Sequence, residues 1–506
     1  LKAEGPGSLQ AACAAEGPRI VVFDVSGVIP GSVAIEHSNI TIAGQTAPGG
    51  GVTIEGALTA EKVNDVVVRF LRVRPPTFQE MGQEWRAHDA IHFIHCRRLV
   101  FDHVSVSWGT DEVIGITYCR DWTIQWCSIE ESSVPENGHN YGLLAGYEPT
   151  FATLHHNLWA HHVRRCPGMR QGPADIRNNV VYNNSYPIVH EGGKATGGYN
   201  VVKNYYKRGP DSLRTGFGGF VSRAEYYVRG NLRNDGTEVR QTKGKVLDKP
   251  VDAPTVTTHD PREAHDLVLA LAGAFPRDAV TRRTVRDVRT RGGRWGRHEP
   301  KGGLLAGLKP AKPPKDTDRD GMPDAWEAAR DLDPKKDDSA RRMASGYTAI
   351  EEYVNERAAE LIAQARRAEQ ARRKAQGPAD AQATAEEATP KPPAPQALDP
   401  ESRGWKLQFS DDFQRGRNDL GNWAPLFGTW VIRDGWLTAA EHTNCKTFEI
   451  RCKRPFAGSI RLEYDARALP DTVPSDLSAV LAADLTSPTA AEGRNWKNKG
   501  SHTGYF

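Results

Sequence analysis

The sequence predicts an all-β protein built on a right-handed parallel β-helix, a solenoid in which short strands of successive turns stack into one core. Two observations carry this prediction. Short β-rich runs recur between residue 19 and about residue 232, and most start 20 to 30 residues after the previous run. Gly, Asn and Asp fill the gaps, and no helical segment separates the runs. A β-sandwich is the alternative, but hairpin turns of the Asn-Gly type are few.

The predicted strands are short and rich in β-branched and aromatic residues. Asparagine after a strand suits a left-handed turn between two faces, and stacked asparagines can form a ladder from turn to turn. The nine runs are Ile20–Phe23, Ile40–Ile42, Val66–Phe70, Leu99–Phe101, Trp122–Ile124, Ala152–Leu154, Asp175–Arg177, Asn200–Val202 and Tyr226–Val228.

Length and composition narrow the class of protein. The chain has 506 residues, enough for two or three domains, and its 66 basic and 63 acidic side chains give a net charge of +3. This near-neutral balance argues against a nucleic-acid partner. No apolar run reaches the length of a membrane span. The chain has no start Met or signal peptide and stops in what looks like a strand, so we expect a fragment at both ends.

Seven cysteines are scattered along the chain, and none forms a C-x-x-C pair. A zinc ribbon is therefore not expected. Cys445 and Cys452 lie seven residues apart across a predicted hairpin, where an exported protein could form a disulfide.

Five segments follow from the pattern. Residues 1–260 form the parallel β-helix, and 261–300 contain two short helices expected as a small helical cap that closes its open end. Residues 310–356 form a calcium-loop segment, and 357–402 form an Ala/Pro/Lys-rich helix and linker. Residues 403–506 turn to strands and aromatics, which predicts a second, incomplete β-sandwich of the jelly-roll type.

The calcium-loop segment contains a twelve-residue pattern of acidic side chains. Acidic residues occupy loop positions 1, 3, 5, 9 and 12, and Gly321 stands at position 6, where a sharp turn is needed. Alternate oxygens at this spacing converge on one cation. The predicted calcium ligands are Asp316, Asp318, Asp320, Asp324 and Glu327.

One stretch, residues 155–184, concentrates histidine, arginine and asparagine between short apolar pieces. Within it, Pro167 stiffens the backbone between the cations Arg165 and Arg170, and paired guanidinium groups suit a carboxylate-rich polymer. A solvated basic turn is the competing interpretation. Four histidines, for which hydrogen bonding in the scaffold is favoured over a zinc site, are His155, His156, His161 and His162.

A second group of candidates is acidic. Asp89 precedes one strand run, and Asp111 and Glu112 follow the next run along the chain. Residues on adjacent turns of a solenoid are close neighbours, and clustered carboxylates repel unless a cation holds them, so Ca²⁺ is expected here. Ordinary surface acids remain the alternative. Asp102 and His103 are either a catalytic pair or a buried hydrogen-bonded couple.

Taken together, these pieces resemble the bacterial pectate lyases of the parallel β-helix class, of the polysaccharide lyase family 1 type. The resemblance runs from the first residue to about Asn355, and the tail DTDRDGMPDAWE commonly follows such lyase domains. The motifs that carry it are GPGSLQAA, GPRIVVFDVSGVI, TIAGQTAPGGGVTI, VVVRFLRVRP, FDHVSVSWGTDEV, HNYGLLAGYEPTFATLHHNLWAHH and DIRNNVVYN.

The resemblance implies a reaction. Calcium bridges acidic side chains and a uronate carboxylate and acidifies the proton on C5; an arginine removes that proton, and the 4-linked oxygen leaves by β-elimination. By position, Arg165 corresponds to the base and Arg170 to the arginine that grips a substrate carboxylate. Asp89, Asp111 and Glu112 correspond to calcium ligands.

Three departures from the family pattern bear on substrate binding. Gly168 stands where many relatives carry arginine, and Val163 replaces a frequent arginine, with Arg164 beside it. The substrate-binding lysine of the family has no counterpart, and His139 is the candidate substitute.

The resemblance also implies the setting. We expect a monomer, secreted or periplasmic, acting on an acidic plant-type polysaccharide, with no nucleic-acid partner. Residues 403–506 look like a concanavalin-type domain, in which Trp423, Trp430 or Trp436 could stack on sugars, although core positions are favoured. Two competing functions remain open: a non-catalytic glycan-binding β-helix, and a glycoside hydrolase with Asp111 and Glu112 as its carboxylates.

Overall fold

A computed structural model describes most of the chain up to residue 376 and four strands beyond it. The described residues are 1–81, 88–134, 139–185, 189–190, 197–212, 224–239, 244–254 and 256–376, with strands between 423 and 452. The chain forms two compact units, Leu1–Pro390 and Lys391–Phe506. The Ala/Pro linker and Cys445, and with it the expected disulfide, lie outside the described residues.

Three parallel sheets form the first unit. The first sheet consists, in order, of Arg19–Val21, Ile40–Ala43, Asn64–Arg69, Arg97–Asp102, Arg120–Gln125, Ala152–His155, Ala174–Arg177, Tyr199–Val202, Glu225–Arg229 and Lys245–Val246. The second consists of Gly27–Pro30, Val52–Glu55, Arg72–Val73, Ser105–Ser107, Ser128–Glu130, Leu158–Ala160, Val180–Tyr182, Tyr205–Lys207 and Leu232–Arg233. The third consists of Val33–Ile35, Leu58–Glu61, Ile91–Ile94, Glu112–Thr117, Tyr141–Gly146, Gly168–Met169 and Val189–His190.

This architecture confirms the predicted parallel β-helix. Each strand of the first sheet pairs in parallel with the strand one turn away, as Leu99 does with Val66 and Trp122, so a sandwich of hairpins is excluded for these residues. All nine predicted runs lie in the first sheet. The sequence pattern did not predict the strands of the other two sheets, because many of them are short or contain polar and glycine residues. Ser105–Ser107 and Gly168–Met169 are examples.

The core is one stack of aliphatic and aromatic side chains that runs through the turns. Leu99, Phe101 and Ile124 on the first sheet face Val106 on the second and Ile116 on the third, and all five are buried. Burial of a side chain of this size contributes about 1.5 to 3 kcal/mol. No turn could bury its apolar face alone, so the turns stabilise one another.

An asparagine ladder connects the turns at the corner between the first and second sheets, as predicted. The side-chain amides of Asn157, Asn179 and Asn204 each donate to the Oδ1 of the next asparagine, ending at Asn231, over 2.9 to 3.0 Å. All four are buried. Each ladder position thus satisfies its polar atoms inside the protein, which a buried amide requires.

The left-handed turn residues at this corner precede the ladder instead of forming it. One residue per turn has a φ between 50° and 56°, and only Asn178 among these is an asparagine. The others are Phe70, His103, Trp126, His156 and Lys203. The aromatic members stack on one another and are covered by the later chain, which stabilises the turn in place of a small side chain.

The two helices expected as an end cap are present at Pro261–Leu271 and Ala279–Thr290, but they lie elsewhere. Val268 and Val285 pack on Leu158 and Tyr182, on the outer face of the second sheet. The outer face of the second sheet carries apolar side chains, and the two helices bury these side chains instead of closing the open end of the solenoid. At the N-terminal end, the short helix Leu9–Ala14 contributes Leu9 and Cys13 to the core.

The remaining helices are Gly44–Thr46 (a 3-10 turn), Phe78–Met81, Asp324–Ala328 and Ala349–Gln376. The last of these crosses the predicted boundary at 356/357, because its Ala/Glu/Arg sequence has no helix breaker there. Tyr353 and Val354 pack with Met322 against Ala43, so the calcium-loop segment belongs to the first unit. Among the described residues, none of the helices has the length and hydrophobicity needed to cross a bilayer.

In the second unit, the described strands pair antiparallel. Trp423–Phe427 pairs with Glu449–Cys452, and Thr429–Arg433 pairs with Trp436–Ala440 as a hairpin. This agrees with β structure in the segment, and the jelly-roll topology stays a prediction.

Candidate active site on the third sheet

Three carboxylates meet at the edge of the third sheet where its strands begin. Asp89 precedes Ile91–Ile94, and Asp111 immediately precedes the next strand, which starts at Glu112. One ligand oxygen from each of the three lies within 4.8 Å of the others. The solenoid therefore brings together the acidic residues that the sequence placed on adjacent turns.

Asp89 is held on two sides. Its Oδ1 accepts the Glu112 backbone N–H at 2.9 Å, and its Oδ2 lies 2.9 Å from His92 Nδ1. Burial raises the pKa of Asp89, and the contact with His92 opposes that rise. His92 faces outward one strand position from the core residue Phe93, and the sequence reasoning missed it. Its alternation with core residues in HDAIHF was the available signal.

A glycine on the neighbouring strand makes room for this carboxylate. A Cβ at position 115 would lie 2.0 Å from Asp89 Oδ2. Gly115 pairs with His92 on the neighbouring strand. Because Gly115 has no side chain, the Asp89 carboxylate can lie directly over its backbone.

Arg165 contacts Glu112 directly. Its guanidinium forms an ion pair with the Glu112 carboxylate and lies 4.4 Å from the centre of the Tyr141 ring. Its carbonyl accepts the Leu143 backbone N–H at 2.7 Å, which fixes the turn to the third sheet. The predicted base is thus joined to the acidic cluster across 53 positions of sequence.

Gly168, the departure from the family pattern, lies under Arg165. A Cβ at position 168 would come within 2.7 Å of Arg165 Cγ and 2.9 Å of the Leu143 carbonyl oxygen. The glycine therefore lets the Arg165 side chain lie flat on the sheet, and a larger residue would displace it.

Arg165 and Arg170 lie at opposite ends of the strand Tyr141–Gly146. The Arg170 guanidinium sits 4.1 Å from the centre of the Tyr147 ring, whereas Arg165 lies over Tyr141. The two rings bracket a strand that spans roughly 20 Å. The two arginines predicted as one catalytic pair therefore lie at opposite strand ends of the third sheet, one before and one after Gly168–Met169.

The two predicted substrate-binding residues lie beside Arg165. His139 Nδ1 is 2.8 Å from Asp111 Oδ1, so this histidine orients a carboxylate of the cluster. Arg164 lies 5.6 Å from the centre of the Tyr141 ring. Both surround Tyr141, an aromatic residue that the sequence reasoning did not single out.

The histidines of residues 155–184 serve the scaffold. His162 is buried and contacts Ser132 and the Ile129 carbonyl, and His156 is buried with its Nε2 2.9 Å from His259 Nδ1. Burial, with charges nearby, lowers the pKa of His156 to about 3. These contacts confirm the structural interpretation of the two residues.

Asp102 and His103 are the buried couple, not part of the site. They lie 2.7 Å apart on the first sheet, and Arg69 Nε donates to Asp102 at 2.8 Å. Burial alone would raise the pKa of Asp102, but His103 and Arg69 lower it below its usual range.

The loop 316–327, predicted to bind calcium, forms a second acidic cluster on the outside of the first sheet. Oxygens of Asp316, Asp318 and Asp320 lie within 4.8 Å of one another. Glu327 is fully buried, and in the described part of the chain neither of its oxygens has a hydrogen-bond partner. Burial, with the neighbouring aspartates, raises the pKa of Glu327 to about 7. Asp324 instead accepts hydrogen bonds from Thr317 and Lys315.

Both clusters suit a hard cation. Carboxylate oxygens are the ligands that Ca²⁺ prefers, and each ionised carboxylate keeps acceptor positions beyond those used here. The unpartnered buried oxygens of Glu327 make the fit of the loop specific. In the cluster on the third sheet, the fit depends on three carboxylates that already have nitrogen partners.

Several known proteins are similar to this chain in sequence. No family model matches the chain. A protein of Aspergillus fumigatus named "Probable pectate lyase C" is 33% identical over 387 residues, covering 70% of this chain and 87% of the relative. A Neosartorya fischeri protein of the same name is 33% identical over 399 residues, with the same coverage. These relatives are fungal, whereas the sequence motifs suggested the bacterial members.

Solved structures also match. A pectate lyase from Bacillus sp. N165 in complex with trigalacturonate has a TM-score of 0.40 and 13% identity, covering 52% of this chain and 89% of that one. The cedar pollen allergen jun a 1 has a TM-score of 0.41 and 14% identity, covering 53% and 84%. Identity to the fungal relatives over most of their length is what decides the assignment: the chain belongs to the pectate lyase family.

Proposed function

We propose that the protein is a calcium-dependent lyase that cleaves pectate, or a related 4-linked polyuronate, by β-elimination with Arg165 as the base. The observation that carries the proposal is the contact of Arg165 with Glu112, inside the cluster that Glu112 forms with Asp89 and Asp111. A base and a cation site then lie within one side-chain length, as this chemistry requires.

Each group has a stated role. Asp89, Asp111 and Glu112 would hold Ca²⁺, which supplies positive charge beside the uronate carboxylate and so acidifies the adjacent C5 proton. Arg165 takes that proton. The electron pair forms the C4–C5 double bond, and the 4-linked oxygen leaves. His92 and His139 hold Asp89 and Asp111 in place by hydrogen bonds.

The ion pair with Glu112 matters for an arginine base. A neighbouring carboxylate favours the cationic form of a guanidinium, which cannot accept a proton. When Glu112 serves as a metal ligand instead, this stabilisation of the cation is reduced. We therefore propose that occupancy of the cluster and basicity of Arg165 are linked through Glu112.

A glycoside hydrolase is the second candidate. It needs two carboxyl groups that flank the scissile bond, about 5 to 10 Å apart. The oxygens of the cluster lie within 4.8 Å of one another, and Arg165 neutralises one of them. Closeness and charge pairing favour the lyase.

One experiment separates the candidates. Polygalacturonate is incubated with the full chain, with and without EDTA, while the ultraviolet absorbance of the unsaturated product is followed. The lyase predicts a rise that EDTA abolishes. New reducing ends without absorbance would show a hydrolase, and neither signal would leave a glycan-binding protein.

The proposal extends to the rest of the chain. We propose that Asp316, Asp318, Asp320 and Glu327 bind a second, structural Ca²⁺, supported by the unpartnered oxygens of Glu327. We further propose secretion or periplasmic export of a monomer, and a concanavalin-like second unit. A calcium-dependent melting temperature, culture-supernatant assays and light scattering test these points.

A further inference from the structure

A row of stacked aromatic side chains lies exposed along the edge of the third sheet opposite the acidic cluster. The ring centres of His95 and Tyr118 are 4.7 Å apart, and those of Tyr118 and Tyr147 are 5.0 Å apart. Arg170 covers the far face of Tyr147. We refer to His95, Tyr118 and Tyr147 as the edge row.

The protein has a second stack of aromatic side chains at another corner of the solenoid, and that stack is buried instead of exposed. At the corner between the first and second sheets, His103 and His156 stack in the same way and are 4% and 2% exposed, because Phe275 and His259 cover them. Tyr118 and Tyr147 are 39% and 41% exposed. The chain covers one stack and leaves the other open.

The edge row has the same left-handed turn conformation as the covered stack, in which Phe70, His103, Trp126 and His156 have φ between 52° and 56°. His95, Tyr118 and Tyr147 have φ of 55°, 55° and 78°, the left-handed region that glycine or asparagine occupies at lower cost. Both aromatic stacks therefore carry this backbone cost, about 1 to 3 kcal/mol for each residue, and of the two only the edge row leaves its tyrosines exposed.

The geometry decides what the row can bind. Because neighbouring rings cover one another's faces, the row presents edges to solvent: an imidazole and two phenol hydroxyls, one per turn. Arg170 closes one end, with its Nη1 3.4 Å from the Tyr147 hydroxyl. At the other end of the row, Lys62 occupies the equivalent position of the preceding turn, directly after the strand Leu58–Glu61, and forms an ion pair with Glu61.

Such a row matches a linear, hydroxyl-rich polymer. Regularly spaced donors at the separation of solenoid turns, flanked by cations, recognise hydroxyl and carboxylate oxygens along a chain. Glu148 follows Tyr147 in the sequence and Glu61 pairs with Lys62, so acidic side chains offset the cations at the two ends of the row. Between the row and the acidic cluster, the outer face of the sheet is flat, since Gly115, Gly146 and Gly168 lie there.

We propose that the edge row is a second binding line for an acidic polysaccharide, separate from the residues that carry out the reaction. It lies about one strand length, roughly 20 Å, from Arg165, too far to touch the sugar that reacts. It therefore binds sugars of the same polymer that lie away from the cleavage point. The identity of the polymer rests on the proposed function.

The test removes the two hydroxyls and keeps the stack. The double variant Tyr118→Phe/Tyr147→Phe is compared with wild type on polygalacturonate and on trigalacturonate, and by retardation in gels that contain polygalacturonate or a neutral galactan. The matched control is Tyr227→Phe, which removes the hydroxyl of a partly exposed tyrosine that contacts Arg229 on the first sheet.

We expect the double variant to raise KM for the polymer and weaken gel retardation by roughly three- to tenfold, since two hydrogen bonds are lost. kcat and the trigalacturonate kinetics stay unchanged, and the control behaves as wild type. Unchanged retardation and KM would overturn the inference, as would equal retardation by the neutral gel. If wild type is retarded but inactive, the proposed reaction fails, and the loss of retardation in the double variant still decides for or against the binding line.

Discussion

The two acidic clusters of the first unit both consist of aspartate and glutamate side chains, but they differ in the groups that surround these carboxylates. In the cluster on the third sheet, Asp89 contacts a nitrogen of His92, Glu112 one of Arg165, and Asp111 one of His139. In the loop, the buried Glu327 has no partner for either oxygen among the described residues. A cluster with its own counter-charges tolerates an empty state, whereas one without them depends on a cation.

The difference indicates two uses of one kind of ligand set. If the third-sheet cluster binds the proposed Ca²⁺, it can exchange the ion without loss of fold, because His92, His139 and Arg165 hold its carboxylates. The loop connects Met322 and the helix Ala349–Gln376 to the first sheet, so its cation would contribute to stability. The predictions below test this division.

The largest expected effect is on the base. Arg165→Lys keeps a positive charge near Glu112 but moves the proton acceptor and removes the planar group over Tyr141. We expect kcat on polygalacturonate to fall at least a hundredfold. The unfolding midpoint should stay close to wild type. Retention of near-full activity would exclude Arg165 as the base.

The second prediction separates the clusters directly. In Glu327→Gln, we expect the calcium-dependent rise in melting temperature to disappear, a loss of about 3 kcal/mol at saturating calcium. In Asp111→Asn, that rise should persist while activity falls. Thermal unfolding with calcium and with EDTA, beside the absorbance assay, measures both. The same response from both variants would contradict the division.

The third prediction concerns the glycine under Asp89. Gly115→Ala places a methyl group 2.0 Å from Asp89 Oδ2, so the carboxylate must move. We expect the calcium concentration for half-maximal activity to rise about tenfold, the equivalent of about 1.4 kcal/mol. Ala34, which faces outward on the first strand of the same sheet, offers a control in Ala34→Gly. A normal calcium requirement in Gly115→Ala would show that Asp89 is not a ligand.

The smallest effect is on pH dependence. The pKa of Glu327 is about 7, above its ordinary value of 4.5, so between these values the folded protein holds a proton that the unfolded chain releases. Without calcium, stability should therefore fall as pH rises from about 5 to 7. Calcium should abolish this slope, and Glu327→Gln should lack it. Unfolding midpoints in EDTA across this range measure the effect, and a rising midpoint would contradict it.

Much of the molecule could be predicted from local patterns. The β-rich runs located the first sheet, since strands buried on the inner face need apolar residues whatever their neighbours are. The acidic loop 316–327 was recognisable because its carboxylates lie within twelve residues. The second and third sheets were less visible, because strands such as Gly168–Met169 are short and derive their stability from pairing.

The site itself required long-range information. Nothing local pairs Arg165 with Glu112 or separates Arg165 from Arg170, because five residues of sequence do not reveal that a strand lies between the two arginines. The expected end cap was misplaced for the same reason. An amphipathic helix shows that it covers an apolar face without showing which one.

By itself, the sequence determined the solenoid, its asparagine ladder and the acidic loop, because repeated turns and chelating side chains leave periodic signals. Only the tertiary structure decided which carboxylates lie together, that Gly115 and Gly168 leave room for Asp89 and Arg165, and that one aromatic stack is covered while the other is open. Those outcomes depend on the register between turns, and register is set by the whole stack of parallel strands.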